Sequence, residues 1–354
     1  MVVLHVASID NCPFNGVCVL VPRIITNQQE IVSTGLVNVK RANIKGIKNQ
    51  FEYNKKFDIS ILPEPFSKPD IVIFHEVYKV EFLKIANKLL KNNIPYIILP
   101  HGSLTREVQR KRWIKKAIGN LLLFNKFIKN ARAIQCLSRN EMERIDFTVK
   151  KFVSTAGIDM PQKTMEIIDR ETINISYIGR FDIYTKGLDR MVEAVAINAD
   201  LLRESKCKIN MYGPKILGQK EELQKLINSR NLKDIMIVHG EVKGREKETI
   251  LLETDVFFQT SRTEALTLGL LEAMSYGIPC VITRGTTQGE LVEKYDAGWV
   301  AENSVQSVAD KLRQSIEERA LWQKKSEAAK KSIEENYDWS VVVGDALNNY
   351  RKYL

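Results

Sequence analysis

The sequence predicts an α/β protein built from two doubly wound parallel sheets. Three observations carry that expectation. At 354 residues the chain is too long for one ordinary core and suits two domains of about 150–200 residues. Short apolar runs alternate with amphipathic stretches, as strands do when crossover helices cover both faces of a sheet. The alternation also runs twice, with a polar, Pro-containing break between the two series.

In the first series, strands are expected at "VVLHVA" (2–7), "DIVIFHE" (70–76), "YIILP" (96–100) and "AIQCL" (133–137). Helices fall between them, such as "YKVEFLKIANKLLKN" (78–92), whose apolar residues recur at helical spacing. The break is "DMPQKTMEIIDRET", Asp159 to Thr172, read as the linker. The second series has strands at "NISYIG", "KINMYG", "IMIVHG", "VFFQTS" and "PCVIT", each followed by a helical stretch. "NYDWSVVVGDALNNYRKYL" closes the chain as a helix after a Trp-bearing turn. The expected domains are 1–160 with a crossing terminal helix at 337–354, and 161–336.

Composition narrows the class. Apolar residues make up 44% and charged residues 27% of the chain, as in ordinary soluble globular proteins. The amino terminus has no basic region before its apolar run, so no secretory signal is read, and no apolar run is long enough to span a membrane. Five scattered cysteines without C-x-x-C spacing suit reduced thiols in the cytoplasm and offer no zinc site. The net charge is +10, but residues 1–160 hold 25 basic and 13 acidic residues against 28 and 30 in the remainder. Such asymmetry points the first half toward an anionic partner.

Candidate chemistry gathers at strand ends of the second series, where open α/β sheets bind ligands. "SYIGRFDIYTKGLDRMVEAV" places Gly179 and Arg180 at a strand end and Lys186 at the start of the next helix. Arg binds bidentately and Lys is a mobile point charge, so the two suit a diphosphate; a solvated cation pair is the competing reading. "SRTEALTLGLLEAMSYGIPCVIT" puts Glu264 on a strand-to-helix loop and Glu272 inside the helix. The amides that open such a helix favour an anion, whereas a carboxylate repels phosphate and accepts from hydroxyls. Hydroxyls at both ends and phosphate between them describe a nucleotide-diphosphate sugar. Backbone near Val242, after "IVHG", is a candidate contact for a base edge, with simple turn chemistry as the default.

In these motifs the chain resembles the retaining glycosyltransferases of family 4, which have the GT-B fold. "EALTLGLLE" matches that family's E-x7-E motif, "GRFDIYTKG" its diphosphate motif, and "PHGS" (100–103) the His-Gly of its amino-terminal domain. The resemblance implies two Rossmann-like domains facing across a cleft, the second binding the donor and the first lying on the acceptor side. It implies that Glu272 holds ribose hydroxyls and Glu264 faces the donor sugar. Arg180 and Lys186 neutralise the departing diphosphate in place of a metal. Amides around Leu266, Thr267 and Leu268 touch the donor, His101 stands near the sugar and β-phosphate, and Gly16 lets backbone approach the diphosphate. The terminal helix packs back on the first domain.

Two departures bear on the donor. The first loop, "PFNGV", has Gly16 alone where a double glycine is usual, and "LT" (Leu266, Thr267) replaces the usual Phe-Gly. Gly285 to Thr287 is a further candidate contact with the donor. The segment Arg106 to Arg132 carries nine basic residues and one acid, with Trp113, Ile114, Ala117, Ile118, Leu121, Phe124 and Ile128 at helical spacing. It reads either as a basic amphipathic contact with an anionic membrane surface or as a core-facing helix with a solvated basic face. No nucleic-acid-binding motif accompanies it.

The expectation is therefore a cytoplasmic hexosyltransferase, peripheral to the inner face of the cell membrane. It moves a sugar from a UDP-sugar first, a GDP-sugar second, to a lipid-linked or surface-glycan acceptor. The donor is its substrate and no cofactor or metal is expected. The alternatives are a sugar-nucleotide epimerase or phosphorylase of the same fold, or a non-catalytic protein binding anions or nucleic acid.

Overall fold

The computed structural model describes residues 1–12, 15–54, 57–110, 123–167, 170–214, 218–264 and 266–354. The chain forms two compact units, Met1–Gly157 with Trp339–Leu354, and Ile158–Asp338.

The first unit is a seven-stranded sheet in the order β3-β2-β1-β4-β5-β6-β7. Its strands are β1 (Val2–Ala7), β2 (Ser33–Asn38), β3 (Gln50–Glu52), β4 (Ile71–His75), β5 (Tyr96–Leu99), β6 (Ala133–Cys136) and β7 (Lys151–Val153), and all pairs are parallel. Helices α1 (Gly16–Gln28), α2 (Val80–Lys91), α3 (Arg106–Arg110), α4 (Asn125–Lys129) and α5 (Arg139–Glu143) join them. Every residue of β4, β5 and β6 is buried, which is why these strands read as continuous apolar runs. Helix α2 buries Phe82, Ile85, Ala86 and Leu89 on one face. Burying each Phe, Ile or Leu of this face stabilises by about 1.5–3 kcal/mol. Glu81 in its first turn and Lys88 and Lys91 in its last oppose the helix dipole.

The second unit is a six-stranded sheet in the order β10-β9-β8-β11-β12-β13. It comprises β8 (Ile173–Ile178), β9 (Cys207–Tyr212), β10 (Met236–Val238), β11 (Val256–Gln259), β12 (Cys280–Thr283) and β13 (Gly298–Ala301), again all parallel. Its helices are α6 (Leu188–Ile197), α7 (Ala199–Glu204), α8 (Gln219–Ser229), α9 (Gly244–Leu252), α10 (Leu268–Ser275), α11 (Gly289–Tyr295), α12 (Val305–Glu317) and α13 (Trp322–Tyr337). The closing helix α14 (Trp339–Arg351) belongs to the first unit, where Tyr353 beyond it stacks on Phe152 at 5.4 Å.

In both sheets the chain starts in the middle, winds to one edge, returns and winds to the other. The reversal lies between β1 and β4 in one and between β8 and β11 in the other. Loops leaving the carboxyl ends of those strand pairs flank a crevice, the place where doubly wound sheets take ligands.

One expectation needs correction. Segment Asp159–Thr172 does not run free where it is described. Met165 is buried in the second unit's core, its N–H bonds Tyr276 O at 2.8 Å, and Arg170 pairs with Asp255 at 2.6 Å. Its apolar residues are too sparse for a strand period yet sufficient to dock. Of the basic stripe, Phe124 and Ile128 are buried in the first unit's core, so there the stripe faces inward. Trp113, Ile114, Ala117, Ile118 and Leu121 lie outside the described residues. Among the described residues, no helix is long and apolar enough to cross a membrane.

Candidate functional site

The two loops at the second sheet's crevice are locked to each other through backbone. After β8 the chain turns through Gly179 and Arg180, and Lys186 N–H bonds Asp182 O at 2.9 Å. Gly187 then adopts φ +64°, and a Cβ there would lie 2.0 Å from the carbonyl oxygen of Thr260, just past β11. Only glycine fits that approach. Thr260 Oγ1 donates to Gly187 O at 2.8 Å, and Arg262 N–H bonds Thr185 O at 2.9 Å. Arg262 also forks onto Asp189 with two 2.7 Å bonds, a geometry that fixes both partners.

This scaffold delivers Lys186 to Glu264. The ammonium donates to Glu264 Oε1, and Ser261 Oγ donates to the same oxygen at 3.0 Å. The two side chains are only 12% and 13% exposed, so the charges are compensated within a largely dry pocket of protein. Arg180 is exposed; among the described residues its guanidinium makes no hydrogen bond or ion pair.

Helix α10 begins at the same place. A Cβ on Gly269 would meet Ile178 O, at the end of β8, at 2.8 Å, so the helix start is pressed against the strand that leads to Gly179. The N–H of Leu271 bonds Thr267 O, while the amides of Leu268, Gly269 and Leu270 precede any intrahelical partner. Thr267 is buried and its Oγ1 donates to Thr286 O at 2.6 Å. The residue that departs from the usual pattern thus spends its hydroxyl on the turn Arg284–Thr286. Leu266 and Leu268 are half-buried against the core around α10. Gly285 lies in that same turn, and Thr287 follows it in the left-handed region with its hydroxyl buried and unpartnered.

Glu272, in the second turn of α10, accepts from Lys247 of α9. Val242 is half-buried on the loop from β10 into α9, so Lys247 links that loop's helix to α10. Nearby His239 stacks on Tyr212, with ring centroids 4.5 Å apart.

In the first unit, His101 follows β5 with φ +50°. Its Nε2 lies 3.1 Å from Nδ1 of His75, whose Nε2 lies 2.8 Å from Nδ1 of His5. Nε2 of His5 in turn lies 2.9 Å from Gln28 Oε1. Burial lowers His101 to about 3 and His5 to about 4, the latter partly opposed by Gln28. His75 falls well below its ordinary value through burial and then through its two neighbours. All three are neutral near pH 7. Glu141 holds the loop: its carboxylate accepts from Gly102 N–H at 2.6 Å and Leu137 N–H at 2.7 Å. Burial raises its pKa and those two bonds oppose the rise. Gly16 opens α1 after the Asn15 cap, and a Cβ there would meet nothing within 4 Å.

Residues 162–333 match the family model described as glycosyl transferases group 1. Among curated proteins, the chain is 30% identical over 171 residues to "Putative colanic acid biosynthesis glycosyltransferase WcaL" of Salmonella typhimurium, covering 45% of this chain and 40% of the relative. The chain spans between 32% and 40% of the length of the curated relatives it matches. Among solved structures, HepE of Anabaena in complex with UDP and glucose aligns with TM-score 0.76 at 13% identity, covering 99% of this chain and 100% of that one. WaaG, a glycosyltransferase involved in lipopolysaccharide biosynthesis, aligns with TM-score 0.68 at 13% identity, over 97% and 98%. The fold is the GT-B fold.

Within this GT-B chain, Lys186, Glu264 and the start of α10 meet at one crevice, whereas Arg180 contacts neither acid. Four contributing residues were missed from sequence. Lys247 sits in the charge-dense "KGREKET", where nothing marks one lysine over its neighbours. His5 and His75 are strand residues flanked by apolar ones, a pattern that signals only burial. Glu141 had a legible signal, because Ser138 and Glu141 form the S-x-x-E capping pattern.

Proposed function

We propose that the protein is a retaining glycosyltransferase that moves a hexose from a nucleotide-diphosphate sugar to a lipid-linked or surface-glycan acceptor. The observation that carries this reading is the joining of Lys186, Glu264 and the free amides of α10 at the switch point of the second sheet. A ligand reaching the pair meets an ammonium suited to phosphate and a carboxylate suited to hydroxyl within one hydrogen bond of each other. The match to group 1 glycosyl transferases over the same unit supports the enzyme class. The names of the relatives, with colanic acid and lipopolysaccharide among them, support a polysaccharide or glycoconjugate product.

In this reading Lys186 and exposed Arg180 stabilise the departing diphosphate, the electrostatic form of catalysis. They do so without a metal. Glu272 holds the ribose hydroxyls, with Lys247 fixing its rotamer, and Val242 borders the base. Amides of Leu266, Thr267 and Leu268 and the turn at Gly179 serve the sugar and phosphates. Glu264 and His101 serve the sugar, and Gly16 leaves room for diphosphate. UDP is the first choice of carrier, supported by the HepE complex with UDP and glucose, and GDP the second. The basic excess of residues 1–160 supports an anionic membrane surface as a further partner through Arg106–Arg132, on the cytoplasmic side.

A thermal-shift panel with UDP, GDP, ADP and NAD on the wild type and Glu272→Ala tests the donor site. Ligand at 100 times its dissociation constant stabilises by about 2.7 kcal/mol. Stabilisation by UDP or GDP that is lost in Glu272→Ala supports the reading. A flat panel, or a response to NAD indifferent to Glu272, sinks it. Product analysis then separates transfer to an acceptor from epimerisation or phosphorolysis.

A further inference from the structure

We propose that Gln259 is a positioning residue for Glu264, acting through the hydroxyl of Ser261. The three side chains form one directional line of hydrogen bonds from the last residue of β11 to the crevice. That Glu264 meets a donor hydroxyl rests on the proposed function; the line itself lies wholly within the second unit.

The direction follows from a group that only accepts. Glu264 Oε1 accepts from the Lys186 ammonium and from Ser261 Oγ at 3.0 Å, and a carboxylate has no proton to donate. Ser261 has a single hydroxyl proton, spent on that bond, so its oxygen must accept from whatever lies behind it. Gln259 Nε2 lies there at 3.0 Å. The flipped amide would set Oε1 against an oxygen with no proton left, so the nitrogen faces Ser261. Gln259 Oε1 is buried with no donor among the described residues, so the bond to Ser261 orients the amide.

Neither link can swing aside. Gln259 and Ser261 are both buried, and Gln259 is in register with Ile282 of β12. The Ser261 carbonyl accepts from Thr283 Oγ1 at 2.7 Å, and a Cβ on Gly285 would lie 2.1 Å from that carbonyl oxygen. The end of β12 thus clamps the backbone that carries the hydroxyl. A lysine is a mobile point charge, and alone it would let the carboxylate turn; a second, fixed donor on the same oxygen removes that freedom. Both donors sit on Oε1, and among the described residues none reaches Oε2. Oε2 is therefore the oxygen left to a ligand hydroxyl, held in one orientation. Burying an amide at the end of the apolar strand "VFFQ" opposes folding unless it is bonded, and the one bond it makes leads to Glu264.

The test is a cycle of Gln259→Met, Ser261→Ala and the double variant of the full chain, read first by melting curves without substrate. Each single change should lower the midpoint by about 1–4 °C, the loss of one hydrogen bond. Once Ser261→Ala has removed the partner, the amide nitrogen is buried unpaired, so adding Gln259→Met should raise the midpoint instead. Gln259→Leu repeats that step with a different shape. A rise with either replacement supports the proposal, and a further fall with both overturns it. Initial rates, taken well below the lowest midpoint, then read the effect on Glu264. Each single change should lower kcat about two- to tenfold and leave the donor KM within about twofold, as for a group that acts in the transition state. The double variant should be no slower than Ser261→Ala alone, because Gln259 reaches Glu264 through that hydroxyl. Losses that multiply overturn the positioning role. A wild type that binds neither UDP nor GDP defeats the donor reading instead, and the melting cycle still decides the line.

Discussion

The two units use the same strand order for opposite electrostatic ends. Each brings polar side chains to the loops and strands at its switch point. The first unit brings neutral imidazoles, held uncharged by burial; the second brings full charges in compensated pairs, Lys186 with Glu264 and Lys247 with Glu272. The difference is one of position. The histidines His5 and His75 sit on buried strands with no solvent to pay for a charge, whereas the ion pairs stand on loops and helix turns, where partners converge. A doubly wound sheet thus dictates where a ligand goes, and the depth of the residue dictates whether it arrives charged.

Charge at the second crevice predicts the largest effect. Lys186→Ala should lower kcat about 10²- to 10³-fold, the range for losing one preorganised charge-stabilising donor. It should also destabilise the second unit by about 1–3 kcal/mol, because among the described residues Glu264 then keeps Ser261 alone as a side-chain donor. Initial rates and melting curves read both. An activity loss under threefold would place the reacting phosphate away from this lysine.

Gly187→Ala should come next, at about 2–3 kcal/mol. The left-handed conformation costs an L side chain about 1–2 kcal/mol, and the Thr260 carbonyl 2.0 Å from the new Cβ must also shift. Hydrogen exchange should show the loosening in the second unit and leave the first as in the wild type. Protection lost equally from both units would mean that the two do not respond separately.

The same difference in depth explains what could be read from sequence. The long central strands, the repeated strand–helix alternation and the placing of Arg180, Lys186 and Glu264 on loops and Glu272 in the helix were legible, because period and loop chemistry are local. Strands β2, β3, β7 and β13 were not. β2 reads "STGLVN" with a glycine in its middle, β3 and β7 have three residues each, and β13 is a short edge strand. Each is a strand by its neighbours rather than by its own pattern. The pairing of Lys247 with Glu272 and the row of three histidines depend on packing between elements distant in sequence. Their residues carry no mark of it.

Acid should separate the units next. His5 has its folded pKa lowered from an unfolded value near 6.5 to about 4, so between those values the unfolded chain binds the extra proton. Stability is therefore full above about pH 6.5 and is lost as pH falls toward 4, by about 1.4 kcal/mol per pH unit for this one group. Replacing it, as in His5→Phe, should flatten the acid limb of the melting curve by about that slope. A wild-type acid limb unchanged by the substitution would mean that His5 titrates normally, and the contrast between neutral and charged units would lose its strongest member.

The smallest effect tests whether Thr267 belongs to the crevice's chemistry or to its scaffold. Its side chain stands where closely related motifs leave room for backbone to meet a ligand, yet its hydroxyl is turned to Thr286 O and is buried. Thr267→Val keeps the shape and removes that one bond, which should cost about 1 kcal/mol and leave the donor KM within about twofold. The backbone amide that opens α10 is untouched by the change, and helix-opening amides are the groups that suit an anion. A shift in donor preference larger than the stability loss would instead give the hydroxyl a place beside the sugar. That outcome would make the selectivity of the second crevice rest on a neutral group, with the charged pairs setting rate.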